Sequence, residues 1–152
     1  MTLTDSTSNP LAPIVVGVDG SASSIEALLA ADRLARALGT TVTAVTAWSW
    51  PLVPAGAMVT STEWTPDRDA RKILDIAVAQ AFGDHVPASL SSDIAEVNAA
   101  EVLMNASEGS TMLVVGTRGH GGFSGLLLGS VSSACAEHAS CPVLVVRALK
   151  SG

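Results

Sequence analysis

Met112-Leu113-Val114-Val115-Gly116-Thr117-Arg118-Gly119-His120-Gly121-Gly122-Phe123-Ser124-Gly125, continuing into Leu126-Leu127-Leu128-Gly129-Ser130-Val131-Ser132, is the stretch on which the fold turns. Its opening apolar run reads as a strand buried on both faces, the signature of a parallel sheet. A glycine-rich loop then enters a helix predicted over Leu126 to Ala139, with Leu127, Val131, Ala134 and His138 on one side. Glycines let the backbone reach φ > 0 and let an anion meet the amides without a Cβ in the way. Successive N–H groups at a helix start make a site for phosphate, and Ser130 and Ser132 add hydroxyl donors. On composition alone, a glycine loop that binds nothing is an equal alternative.

The same pattern extends in both directions. Ile14-Val15-Val16-Gly17-Val18 is a second continuous apolar run, ending at the turn Asp19-Gly20-Ser21. A helix is predicted next, with Ser23 and Glu26 as a capping box, a stripe of Ile25, Leu28, Ala31, Ala35 and Leu38, and Gly39 as its left-handed end. Val42 to Ala47 reads as a strand. Pro66 opens a helix whose stripe is Ala70, Ile73, Leu74, Ala77, Val78 and Ala81, stopping at Gly83. Ser89 to Val97 is a weaker strand, and Asn98 with Glu101 mimics a capping box for a short helix carrying Val102, Leu103 and Ala106. Pro142 to Val146 is a last apolar strand. Strands alternating with helices imply a parallel α/β sheet with helices on both faces.

Between the second strand and the Pro66 helix, residues 48–64 contain Pro51, Pro54 and Gly56 without periodicity and read as a long loop. It carries Trp48, Trp50 and Trp64, which either staple the loop to the core or cover a ligand or partner surface.

Composition narrows the function. The chain has 152 residues, 8 basic and 14 acidic, for a net charge of −6. That balance argues against general nucleic-acid binding and against an anionic membrane surface. Apolar residues reach 48%, yet no run is long enough to span a bilayer. Residues 1–12 form a predicted flexible tail without the pattern of a secretory signal, so a cytoplasmic location is expected, with one domain over 13–148. Cys135 and Cys141 lack CxxC spacing and read as small buried hydrophobes. The three histidines show no ligand spacing.

Several loop chemistries are excluded. A Walker A loop needs Gly-Lys-Ser/Thr, and no lysine lies between Lys72 and Lys150. A dinucleotide fingerprint opens the first strand–helix turn, whereas this loop follows the fourth strand. His120-Gly121-Gly122 is faintly similar to an esterase oxyanion loop, but the chain has no GxSxG nucleophile elbow.

On these residues the chain resembles the universal stress protein family. The nucleotide-binding members carry Gly-x2-Gly-x9-Gly-Ser/Thr after the fourth strand, and Gly116, Gly119, Gly129 and Ser130 fall on that pattern. The opening Ile14 to Ser21 is similar to the family's first strand and acidic turn, and Cys141 to Val146 to its closing strand. The likeness runs from about Pro13 to Arg147.

The resemblance implies an open five-stranded parallel sheet in order 3-2-1-4-5, of the adenine nucleotide alpha hydrolase-like type. It places Asp19 and the glycine loop at one crevice, where strand order reverses. It further implies an ATP site with Mg2+ or Mn2+. Gly116, Thr117, Gly119, His120, Gly121, Gly122 and Gly129 would line the phosphate and ribose path. Ser130, Val131 and Ser132 would offer donors from the helix start, and Arg118 would neutralise phosphate charge. Asp19 would bind ribose or help hold the metal, and Gly17 and Ala47 would meet the adenine through backbone groups.

Asp19 as a plain turn residue, Arg118 as a solvated cation and His120 as loop scaffold are the alternatives. Asn98 stands where relatives often have glycine. No general base is evident and only one cation is at hand, so the expected function is nucleotide-dependent regulation of stress response or growth arrest, with little or no ATPase activity. The alternatives are a stress-responsive dimeric interaction module without nucleotide, and a sensor of cAMP or another adenine nucleotide. A homodimer through the Pro142–Val146 strand is expected, with no nucleic acid or membrane partner.

Overall fold

Apolar runs and amphipathic stripes alternate along the chain, and the computed structural model, which describes residues 11–49, 65–117 and 128–148, turns each into one element. In order these are β1 (Ile14–Gly17), α1 (Ala22–Leu38), β2 (Val42–Trp48), α2 (Pro66–Phe82), β3 (Leu90–Glu96), α3 (Ala99–Ala106), β4 (Met112–Gly116), α4 (Ser130–His138) and β5 (Val143–Val146). The expected tail up to residue 10, the loop with Trp50 and Trp64, and Arg118 to Leu127 lie outside the described residues.

The strands form one parallel sheet in the order β3-β2-β1-β4-β5, as the resemblance implied. Period-2 alternation divides the apolar side chains between two faces. Ile14, Val16, Val42, Ala44 and Val114 face α1 and α2, packing on Ala27, Leu28, Ala31, Ala35, Leu74 and Ala77. Val15, Val45, Leu113 and Val115 face α3 and α4, packing on Val102, Leu103 and Cys135. Full burial of side chains such as Leu28 and Leu74 contributes about 1.5–3 kcal/mol each. At the start of β1 the Thr40 hydroxyl donates to the carbonyls of Leu11 and Ala12, so the backbone is already anchored at residue 11.

Helix ends and stripes correct the sequence reading in places. The N-cap of α1 is Ser21, whose Oγ accepts the Ser24 N–H at 3.3 Å, and not Ser23 with Glu26. Gly20, at φ 85°, completes the turn early, so Ser23 falls inside the first helical turn and is buried. Leu38 and Ile73 are 44% and 39% exposed, because the core faces of α1 and α2 centre on alanines and single leucines. In α4 the buried positions are Ser132 and Cys135, whereas the side chain of His138 is 67% exposed. The cap of α3 follows expectation: the Glu101 N–H donates to Asn98 Oδ1 at 3.0 Å, and Asn98 Nδ2 donates to Glu101 Oε2 at 3.3 Å. Gly39 closes α1 at φ 72°.

Of the two thiols, Cys135 is fully buried and Cys141 half-buried, both free and in the same apolar cluster. Burial, and then the neighbouring Cys141, pushes the Cys135 thiol up from its ordinary range. It is therefore a packing residue and a poor nucleophile.

Two glycines set the spacing of helices against the sheet. A Cβ on Gly17 would meet Leu103 Cδ1 at 2.6 Å, and one on Gly116 would meet the Ser23 backbone carbon at 2.8 Å. Bare Cα atoms at the ends of β1 and β4 thus bring α3 onto one face and the first turn of α1 onto the other. The conformation that favours glycine before α3 is found at Val97, with φ 135°, whereas Asn98 sits at φ −65°.

Three substitutions test these points. Val97→Gly removes backbone strain of about 1–3 kcal/mol at an entropic cost of ~0.5–1 kcal/mol, so stability should rise by about 1 kcal/mol. Denaturant unfolding reads this; a loss of stability contradicts the strain. Gly116→Ala presses on backbone and should cost roughly 2 kcal/mol or more, whereas Gly17→Ala presses on the tip of a leucine and should cost about 1 kcal/mol. The reverse ranking contradicts the packing described.

Candidate functional site

β1 and β4 are neighbours, and α1 leaves the first on one face while α4 follows the second on the other. Their C-terminal ends therefore open into a crevice that neither helix roofs, the usual ligand position in open α/β sheets. Gly17, Asp19, Ala47, Gly116, Thr117, Gly129, Ser130, Val131 and Ser132 belong to the segments meeting there. Arg118, Gly119, His120, Gly121 and Gly122 lie outside the described residues.

On the β1 side, Asp19 is exposed and its Oδ1 accepts the Ser21 N–H at 2.9 Å. One carboxylate oxygen thus shapes the turn into α1. The Asp19 N–H reaches Ser24 Oγ at 3.4 Å. The turn reading and the ligand reading of Asp19 are compatible, since a carboxylate has two oxygens.

On the β4 side the loop is tied at its base. The Thr117 N–H donates to the Val146 carbonyl at 2.9 Å, and the Thr117 carbonyl accepts the Gly129 N–H at 2.7 Å and the Ser132 hydroxyl at 3.0 Å. The Ser132 hydroxyl also approaches the Gly129 carbonyl at 3.2 Å and its residue is buried. Its proton is committed inside the protein, so Ser132 clamps the two ends of the loop together. Ser130 is exposed at the first helical position.

The α4 N-cap is Gly129, which has no side chain with which to cap the first turn. At α1, by contrast, Ser21 takes up the Ser24 amide. Among the described residues no side chain caps the opening amides of α4, and the positive end of the helix dipole lies behind them. Across the crevice, Ala47 is half-buried near the end of β2. Gly116 and Gly17 are accounted for by packing, as described above.

Thr46, next to Ala47, is a buried polar residue that the sequence reading passed over. It is 3% exposed, and its hydroxyl donates to the Val18 carbonyl at 2.7 Å. The available signal was a threonine in an apolar run immediately before Ala47. A hollow of about 470 Å3 lies along β2 and β3 beside α3, lined by Val45, Asp93, Ala95, Val97, Val102 and Asn105. It was not foreseen, and it opens beside the sheet rather than at the β1–β4 crevice.

Among the described residues no group of three or more His, Cys, Asp or Glu could hold a metal ion, and no helix is long and apolar enough to cross a membrane. Asp19 is the one carboxylate that the sequence reading assigned to a metal.

Comparison with known proteins matches residues 11–147 to the universal stress protein family. A universal stress protein of Mycolicibacterium smegmatis is 35% identical over 138 residues, covering 88% of this chain and 47% of the relative. The chain spans about half the length of the curated relatives it matches. Among solved structures, a universal stress protein in complex with cAMP has a TM-score of 0.66 at 24% identity, covering 92% of this chain and all of that one. The universal stress protein of Archaeoglobus fulgidus in complex with dAMP has a TM-score of 0.62 at 24% identity, covering 89% and 97%. Those two likenesses establish the fold alone. The match over 11–147, with a relative more than 30% identical across most of the chain, establishes more: this chain belongs to the universal stress protein family.

Proposed function

We propose that the chain is an ATP-binding universal stress protein that acts as a nucleotide-dependent regulator, with little or no ATPase activity. The observation that carries this reading is the first turn of α4, which starts at the Gly129-Ser130 end of Gly116-x2-Gly119-x9-Gly129-Ser130, has no side-chain cap among the described residues, and lies by the crevice that Asp19 borders. The amides of Ser130 and Val131 would take phosphate oxygens, and Asp19 would take the ribose hydroxyls. Gly119, Gly121, Gly122, Arg118 and His120 enter through the family pattern. The complexes of two structural neighbours with cAMP and dAMP support an adenine nucleotide as the ligand class.

The donor set fits a nucleotide with Mg2+ better than a resident metal. Mg2+ keeps most of its waters and is commonly held by one or two carboxylates together with substrate phosphates. Asp19, with one oxygen engaged by Ser21, supplies one such ligand. When bound, the ion would offset charge between a polyphosphate and a chain of net charge −6. Slow or absent hydrolysis follows from the lack of an evident water-positioning base. A cAMP sensor is the second reading, favoured by the neighbour solved with that ligand.

Assembly as a homodimer is proposed through β5. Its four residues are valine and leucine, all half-buried, and it lies at the edge of the sheet. Exposed apolar edges tend to be covered.

Mass spectrometry of ligand released from gently purified protein should find an adenosine polyphosphate. Calorimetric titration should show Mg-ATP binding, weakened about tenfold or more by Asp19→Ala, in line with loss of a charge-assisted hydrogen bond. Gly119→Val should abolish it. Unchanged affinity in both variants removes the site assignment, and cAMP as the tighter ligand selects the second reading. Light scattering should give twice 15.3 kDa at micromolar concentration; the single mass contradicts the β5 dimer.

A further inference from the structure

The parallel ladder between β1 and β2 runs from Ile14↔Val42 to Gly17↔Val45 and stops. The Val18 N–H still donates to the Val45 carbonyl at 2.9 Å. One more step of the same pattern would place the Ala47 N–H on the Val18 carbonyl, because each residue of a parallel pair alternates between donor and acceptor partners across the gap. That step is missing. The Val18 carbonyl is held instead by the Thr46 hydroxyl, at 2.7 Å and out of water.

We infer that Thr46 is a positioning residue for base recognition: by taking the Val18 carbonyl, its hydroxyl keeps the Ala47 N–H out of the ladder and available to the adenine edge. The inference rests on the adenine-nucleotide reading above and extends it to a residue with no part in that reading. The chemistry is specific. N–H and C=O of one strand residue point the same way, so Ala47 offers a donor beside an acceptor. Adenine presents the complement, N1 as acceptor next to the N6 amino donor. Hypoxanthine presents N1–H and O6 and so reverses both. A peptide edge at Ala47 thus prefers ATP to ITP, and it keeps that preference only while Val18 does not reclaim the amide.

Thr46→Val keeps the shape and removes the hydroxyl; Thr46→Ser keeps the hydroxyl. In Thr46→Val the Val18 carbonyl loses its donor, and the cheapest replacement is the Ala47 N–H. Amide hydrogen exchange followed by NMR without nucleotide should show Ala47 slowed about tenfold in Thr46→Val and unchanged in Thr46→Ser. Titrations with ATP and ITP should show the wild-type preference for ATP falling about fivefold in Thr46→Val, as expected for one lost hydrogen bond, and kept in Thr46→Ser. A merely structural role would weaken both nucleotides equally and leave their ratio alone. Should Thr46→Val not fold, Thr46→Ala makes the same comparison.

A wild-type protein that prefers ATP, with both the ratio and the Ala47 exchange rate unaltered in Thr46→Val, overturns the role of Thr46 and leaves the nucleotide reading standing. A wild-type protein that binds neither ATP nor ITP overturns the reading itself, and this inference with it.

Discussion

The reversal of strand order between β1 and β4 is the constraint on which the rest of the structure depends. β1 sends its helix to one face of the sheet and β4 sends its helix to the other. A right-handed parallel crossover leaves no helix above the gap between them. The crevice is thus a result of topology, and side chains only dress it. Gly17 and Gly116 matter within that constraint because they let α3 and the start of α1 close on the sheet from opposite sides. Helices thus approach the sheet closely at the two strand ends that border the crevice.

Among the described residues, several of the groups that border this crevice are backbone. No side chain among the described residues caps the α4 amides, the Thr117 carbonyl is occupied from two directions, and the Val18 carbonyl is occupied by a hydroxyl. A carbonyl already engaged by one donor competes less strongly for a nearby N–H. Fixed peptide dipoles also suit an acidic chain, because they favour phosphate without requiring a cationic surface. A site of this kind stabilises bound charge without orienting attacking water, which is the basis of the proposed binding with little hydrolysis.

The sheet order became legible only through the family resemblance carried by the glycine spacing after the fourth strand and the apolar run at Ile14–Val18; periodicity supplied the elements but not their arrangement. Strand cores and the caps at Gly39 and Asn98 were readable because each rests on a local rule. Leu38 and Ile73 were misassigned to the core because alanine-rich helices pack closely: Ala27, Ala31 and Ala77 fill the space that larger residues would need. Ser132 was read as a ligand donor from its place at a helix start. Its commitment to the Thr117 carbonyl depends on how the loop ends meet, which no spacing records. Thr46 was hidden for the same reason: a strand threonine looks like β propensity until the neighbouring strand is in place. The hollow beside α3 and the strain at Val97 arise from tertiary packing and have no sequence signature of their own.

The central claim is that the β1–β4 crevice holds the nucleotide. Backbone amide chemical shifts of isotope-labelled protein, followed by NMR during titration with Mg-ATP, test it most directly. The account predicts that the large shifts fall on Asp19, Ala47 and the start of α4 from Gly129 to Ser132, with Asp93, Val97 and Asn105 little changed. Shifts confined to those last three residues, or no shifts at saturating nucleotide, would contradict it.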